Sequence, residues 1–380
     1  MEAGQASRGL LRAFDGLEDP RVERTKRHSL NDILTITVMA VICGADGFVQ
    51  IAMFGRSKCQ WLKTFLELPN GIPSHDTFGR VLSALDPQQF ERCVVQWTAA
   101  LAKVTRGQLV AIDGKTLRRS FQAAGGKAAI HMVNAWCSSN RMALGQLATE
   151  QKSNEITAVP KLLELLDLDG AIVTVDAMNC QKETAGKIIA GGGDYVMQVK
   201  GNQQKLHEQL IVDLDEAVRL NFQGMEHDSM ETVDGDHGRI ETRRLWCTSD
   251  VSWVPNREQW PGLKSVAVVE CKREVMGGKT SIERRYFIAS LPANARQLLS
   301  AVRGHWGVEN SLHWCLDVSF REDECRIRTG HGAENFSRLR RLSLNLLKAE
   351  TSVKVGLATK RLRCGWDHDY LLKVLAPAED

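Results

Sequence analysis

Two aspartates, Asp113 and Asp176, each close a short apolar run: Leu109-Val110-Ala111-Ile112 and Ala171-Ile172-Val173-Thr174-Val175. A carboxylate at the end of a buried strand must be hydrated, paired or metal-bound, because an unpaired buried charge is costly. Open α/β sheets place their sites at such ends. On strands that a mixed sheet can set side by side, the pair points to a divalent-metal site, since Mg2+ is a hard cation that prefers oxygen ligands. A third carboxylate is offered by the segment from His305 to Asp317. At about 3.6 residues per turn, His305, Glu309 and His313 fall on one helix face, with Leu312 and Leu316 beside them. The competing reading is a surface helix on which Glu309 pairs with a histidine. The HExxH spacing of a zinc protease is absent.

These residues need elements to position them. Leu109 to Ile112, Ile130 to Trp136 and Ala143 to Ala148 read as strands. Ile156, Val159, Leu162, Leu163 and Leu166 then recur at helical spacing. Ala171 to Val175 is a fourth strand, Lys182 to Ala190 a helix and Tyr195 to Val199 a fifth strand. Leu206, Leu210, Leu214 and Val218 mark the helix after it. An early strand meander joined to βα units implies a mixed sheet covered by helices. From about 222 to 291 the period is that of strands. Gly277-Gly278-Lys279-Thr280 lies between two of them and reads as a hairpin turn, since Arg273 stands where a phosphate-binding loop needs glycine. Gly191-Gly192-Gly193 lacks GxGxxG spacing and reads as a helix stop. Beyond Ala295, Leu298 to Val318 is expected as one long helix and Glu334 to Leu347 as another.

Residues 1–105 read as helical. Gly71-Ile72-Pro73-Ser74 is a turn and N-cap opening a helix with Phe78, Val81, Leu82 and Leu85 on one face. That suits a helix-turn-helix-like DNA reader, although an ordinary helical hairpin fits the same pattern and is favoured. The apolar stretch from Ile33 to Cys43 is too short for a membrane span, which needs about 20 residues, and is expected to be a buried helix. No signal peptide is read at Met1-Glu2-Ala3-Gly4.

The 380 residues suggest two or three structural units at roughly 150 residues each. An apolar share of 43% excludes wholesale disorder. With 49 Lys+Arg against 46 Asp+Glu, the net charge of +3 excludes a histone-like polycation. It leaves room for a nucleic-acid enzyme with local basic surface and acidic catalytic groups. The 10 cysteines contain no CxxC, so a structural zinc site is not expected, and they read as reduced thiols of a cytosolic protein.

Several ordered motifs carry a specific resemblance: Ala111-Ile112-Asp113-Gly114-Lys115, Val173-Thr174-Val175-Asp176-Ala177, Val199-Lys200-Gly201-Asn202-Gln203, Asp236-His237-Gly238-Arg239, and His305 to Asp317 continuing into Phe320-Arg321-Glu322-Asp323. From about Leu17 into the C-terminal segment, the chain resembles the DDE transposases of bacterial insertion sequences, specifically the H-repeat-associated (ISAs-type) family. The resemblance implies an RNase H-like α/β fold. It comprises a mixed five-stranded sheet with flanking helices, a β-rich insertion at about 222–291 and an all-helical N-terminal domain. The expected boundaries are 1–105 for a DNA-binding domain, 106–350 for the catalytic domain and 351–380 for a C-terminal segment. It also implies the acid triad Asp113, Asp176 and Glu309. The Tyr/Arg/Glu/Lys signature of the wider transposase group is not matched, because Val302, His305 and Leu316 stand at its Tyr, Arg and Lys positions. Asp317, Glu322 and Asp323 therefore stay as alternates to Glu309.

The activity implied is cleavage at element ends and transfer of the 3′-hydroxyl into target DNA, with two Mg2+ ions held by the triad and Mn2+ as a substitute. The implied partners are double-stranded DNA (terminal inverted repeats and target) and a second copy in the synaptic complex, in the bacterial cytoplasm at the nucleoid, with no membrane. DNA must be held by local charge. The expected contacts are Lys115, Arg118, Arg119, Lys200, Asn202, Arg239, His305, Arg328, Arg340 and Arg341. Between Arg326 and Lys348, six basic residues face one acid, Glu334. For any single arginine, a solvated helix face is the competing reading. Trp306 and Trp314 are candidates for stacking on a flipped base or for core packing. A metal-dependent nuclease without joining activity and a domesticated, inactive DNA-binding relative are the alternatives.

Overall fold

The computed structural model describes residues 12, 14–101, 107–121, 128–149, 154–236 and 238–376. His237 of the Asp236–Arg239 motif and the first residues of the chain lie outside this set. In chain order the main helices are α1 (Leu30–Ile42), α2 (Phe48–Ser57), α3 (His75–Ala84), α4 (Pro87–Leu101), α5 (Glu155–Leu163), α6 (Lys182–Ala190), α7 (Gln204–Arg219), α8 (Ala295–His305) and α9 (Gly332–Ala349). The strands are β1 (Leu109–Thr116), β2 (His131–Cys137), β3 (Met142–Thr149), β4 (Ile172–Val175), β5 (Asp194–Val199), β6 (Asp228–Asp236), β7 (Arg239–Thr248), β8 (Ser265–Val275) and β9 (Thr280–Ala289). Their hydrogen-bonded order is β3-β2-β1-β4-β5-β9-β8-β7-β6.

Contacts divide the chain into two compact units. One comprises Met1–Lys103, Gly114–Ala158 and Glu309–Asp380; the other comprises Val104–Asp113 and Val159–Val308. By contacts, the helices of residues 1–103 share a unit with the β2–β3 hairpin and the late helices.

The first unit is built around α9, whose residues from Gly332 to Leu347 are all buried. A helix buried on every side must satisfy its polar side chains internally. Asn335 Nδ2 donates to the Leu82 and Leu85 carbonyls closing α3, at 3.0 and 2.9 Å. Asn345 bonds both backbone groups of Ala143 on β3, at 2.9 and 2.8 Å. Glu91 of α4 accepts from Arg338 Nε at 2.8 Å and from Arg341 Nη2 at 2.7 and 2.8 Å. Helix α1 carries the expected apolar stretch, capped by Ser29, with every residue from Asp32 to Ile42 buried.

In the second unit β1, β4 and β5 are parallel, and β9 pairs antiparallel with β5. The four strands β6 to β9 are a meander with full-length registers. The strand-rich stretch therefore extends the sheet from β5 rather than standing apart as an insertion beside five strands. Pairing β9 onto β5 covers what would be an open sheet edge. Gly277, at φ +70°, sits in the β8–β9 turn, as a hairpin requires. Helix α8 packs Leu298 and Leu299 against Leu245, Ala267, Val269 and Phe287. No described helix is long and apolar enough to cross a membrane.

Candidate active site

Strand β4 stops at Val175, so Asp176 stands just past its end, as expected. Strand β1 is longer than its apolar run and continues through Asp113 to Thr116. The parallel register runs Leu109↔Ile172 to Ile112↔Val175. Asp113 and Asp176 are each the residue after that last matched pair, so adjacent strands bring the two carboxylates to one end. Beyond Asp113, β1 passes a buried polar pair in which His131 Nε2 and Glu155 Oε2 are 2.8 Å apart. A Cβ on Gly114 would stand 2.2 Å from that Nε2 and 2.6 Å from that Oε2, so only glycine fits there.

The Asp176 side chain is held by a turn. Its Oδ1 accepts from the backbone N–H and the Nδ2 of Asn179, at 3.1 and 2.8 Å. Asn202, just after β5, donates to the Ala177 carbonyl at 2.7 Å and braces the same turn. On β4, the Thr174 hydroxyl and His305 Nδ1 are 3.0 Å apart. Burial pushes the His305 pKa down to about 4, so its imidazole is neutral near pH 7.

The long helix expected from Leu298 to Val318 is interrupted. Helix α8 ends at His305, and Glu309–His313 forms a π-helical turn, a feature common at functional sites. Glu309 is more than half exposed, whereas His313 is buried. His313 Nδ1 donates to Glu309 Oε2 at 3.0 Å. That bond, aided by the charges of His313 and Lys115, holds the Glu309 carboxyl below its usual pKa. A carboxylate such as that of Asp113 or Glu309 is the hard oxygen donor that Mg2+ prefers, and an imidazole also suits Mn2+ or Zn2+.

The alternate acids are otherwise engaged. Lys115 Nζ donates to Asp317 at 2.7 Å and Asp323 at 3.1 Å. Burial pulls the Lys115 pKa down, but Glu322, Asp317 and Asp323 more than offset this and leave it above its ordinary value. Glu322 is itself buried.

Residues 105–346 match the family described as "Transposase DDE domain", and residues 11–98 match its associated N-terminal family, "DDE_Tnp_1-associated". The chain is a DDE transposase. It is 41% identical to "Putative transposase YncI" of Escherichia coli O157:H7 over 98% of this chain and 95% of that one. It is 39% identical to "H repeat-associated putative transposase YhhI" of Escherichia coli (strain K12), over 97% of each. Among solved structures, a piggyBac transposase synaptic complex with hairpin DNA covers 98% of this chain and 76% of its own, with 12% identity. Its TM-score of 0.45 is too low to place individual residues.

Several DNA contacts expected for the transposase need correction. Arg340 and Arg341 are 1% and 0% exposed. Arg341 is bound to Glu91, and Arg340 lies 4.5 Å from the Phe336 ring and 4.0 Å from Glu322. They are interior charges, and a charge-rich helix in sequence was not a surface face. Lys115 is nearly buried and ion-paired, and His305 carries no charge to offer a phosphate. Arg118 is exposed and pairs with Asp323 at 3.1 Å. Arg119, Lys200 and Arg239 are exposed, while Arg328 is half-buried, with its Nε on the Arg119 carbonyl at 3.0 Å. Trp306 and Trp314 are 53% and 58% exposed, which excludes core packing for either. Sequence reading missed Glu91 and Asn179. Asn179 follows Asp176 by three residues, the spacing at which an aspartate side chain accepts from a backbone N–H as a cap does, and that could have drawn notice.

Proposed function

We propose that this transposase cleaves DNA at the ends of its own mobile element and joins the freed 3′-hydroxyl to target DNA, with Asp113, Asp176 and Glu309 holding two divalent cations, Mg2+ or Mn2+. The observation that carries this reading is the β1–β4 register, which sets two aspartates side by side at one strand end. The π-helical turn at Glu309–His313, and the His313 bond that holds the Glu309 carboxyl below its usual pKa, support Glu309 as the third acid. The run β3-β2-β1-β4-β5, with an antiparallel hairpin followed by parallel strands, supports an RNase H-like core.

Bound divalent cations supply activation of the attacking oxygen and charge neutralisation at the leaving oxygen. The side chains orient and charge the site. The Asn179 amide and backbone N–H fix the rotamer of Asp176. The His313 bond orients Glu309 and holds its carboxyl below the usual pKa. Water acts first as nucleophile and the 3′-hydroxyl second, so no side-chain nucleophile is required. Two element ends must be held together for joining, which implies two copies in the active complex.

The test is a strand-transfer assay with purified protein, paired element ends and a plasmid target. Joined products that disappear with Asp113→Asn, while the ends are still bound, support the reading. Cleavage without joining by the unaltered protein identifies a nuclease. Normal joining by Asp113→Asn overturns the site assignment.

A further inference from the structure

One face of the β6–β9 meander changes character along its length. The registered rows Cys247–Ala267 and Leu245–Val269 are apolar and lie under α8. Farther out, the same face carries Arg243, Glu241 with Arg273, and Arg239. Four arginines there share two carboxylates. Arg243 and Arg303 bind Asp234 at 2.7 and 2.8 Å. Arg273 and Arg239 approach Glu241 at 2.7 and 3.5 Å, and Arg243 also contacts it. Asp234 and Glu241 neutralise two of these four charges and Asp236, registered opposite Arg239, a third, so the cluster keeps one positive charge in excess.

Beside the cluster, α8 and β6 bound a cleft of about 470 Å³. Met230 and Leu299 supply apolar lining, and Thr232, Arg296, Ser300 and Arg303 supply polar lining. Arg296, Ser300 and Arg303 recur at i, i+4 and i+7 and so project from one face of α8. All three are exposed, and Arg296 makes no ion pair among the described residues. Thr232 Oγ1 is buried without a hydrogen-bond partner among the described residues. A buried hydroxyl of that kind is costly unless something completes it.

We infer that this cleft binds the phosphodiester backbone of a DNA strand, with Arg296 and Arg303 on phosphates and the Ser300 and Thr232 hydroxyls beside them. Cations on successive rows, beside the hydroxyls of Ser300 and the unpartnered Thr232, suit the repeating anion of a nucleic-acid backbone. An acidic protein segment could present similar charge, and the test separates the two. The inference deepens the transposase reading but does not depend on its metal site.

The experiment measures equilibrium binding of the full chain to a mixed-sequence DNA duplex across salt concentrations, without divalent metal. Each lost phosphate contact should reduce the salt slope by about 0.9. For Arg296→Ala/Arg303→Ala, two lost contacts predict that the Kd ratio between about 200 and about 50 mM salt falls about twelvefold. Arg296→Lys should keep the slope of the unaltered protein, and unchanged thermal melting should show that the double variant is folded. Because the measurement is made without divalent metal, a wrong metal-site assignment leaves it unchanged, so a failed metal site and a failed cleft give different results. If the folded double variant binds DNA with unaltered affinity and slope, the inference is overturned and an acidic protein partner becomes the better reading.

Discussion

Removing the Glu91 carboxylate should destabilise the first unit more than almost any other single change. Glu91 is 0% exposed, as is Arg341, and Arg338 is 2% exposed. Its two oxygens accept from Arg338 Nε, twice from Arg341 Nη2, and from the Gln146 backbone N–H at 2.7 Å. Burial already pulls the Arg341 pKa down, and the neighbouring Glu91 opposes that pull. Glu91→Ala takes the ion-pair partner from interior Arg341 and leaves Arg338 with only Glu334, at 3.7 Å. Breaking a buried pair in this way costs about 3–5 kcal/mol. The orphaned Gln146 N–H adds about 1 kcal/mol. A total near 5 kcal/mol is a large share of a domain's stability of about 5–15 kcal/mol. Replacing charge by apolar bulk on both sides, with Glu91→Leu and Arg341→Met together, should cost clearly less than Glu91→Ala alone. Urea unfolding followed by circular dichroism measures each difference. A Glu91→Ala protein within about 1 kcal/mol of the unaltered chain would refute the buried-network account.

Three further outcomes follow from the geometry. Gly114→Ala should lower the melting temperature, since its Cβ meets His131 and Glu155 at 2.2 and 2.6 Å and overpacking costs about 1–3 kcal/mol; an unchanged melt contradicts the close approach. His305 is held neutral down to about pH 4, whereas an unfolded histidine gains its proton near pH 6.5. The unfolded state therefore binds the extra proton in that window, and the native protein loses stability as pH falls through it, by on the order of 3 kcal/mol. The stability gap between the native chain and His305→Gln should narrow by that amount from pH 6.5 to pH 4, and a constant gap counts against burial of a neutral imidazole. Asn179→Ala removes the side-chain bond to Asp176, so DNA cleavage should slow about tenfold while DNA affinity holds. A rate equal to that of the unaltered protein removes Asn179 from the site.

The apolar runs made the sheet legible. Val110 to Ile112 and Ile172 to Val175 are buried from end to end, so two aspartates that close such runs stand out in sequence. Glu309, the third acid proposed, drew notice through the His305–Glu309–His313 spacing, although the π-helical turn did not, because an inserted residue in a helix leaves no periodic mark. The arginines of α9 misled for a physical reason. Periodicity shows which residues are apolar, not which charges have partners, and Glu91 lies 247 residues from Arg338. The same limit hid the extension of the sheet, since β9 pairs with β5 across a gap that local pattern cannot span. The α8 arginines fell in a segment read only for its acid.

The central claim is that Asp113, with Asp176 and Glu309, holds the divalent cations of the reaction. It is tested most directly by titrating Mn2+ into the DNA-bound full chain and following free Mn2+ by electron paramagnetic resonance. Asp113→Asn and Glu309→Gln should each weaken Mn2+ binding by at least about tenfold while the protein stays on DNA. Mn2+ binding by Asp113→Asn as tight as that of the unaltered transposase would contradict the account.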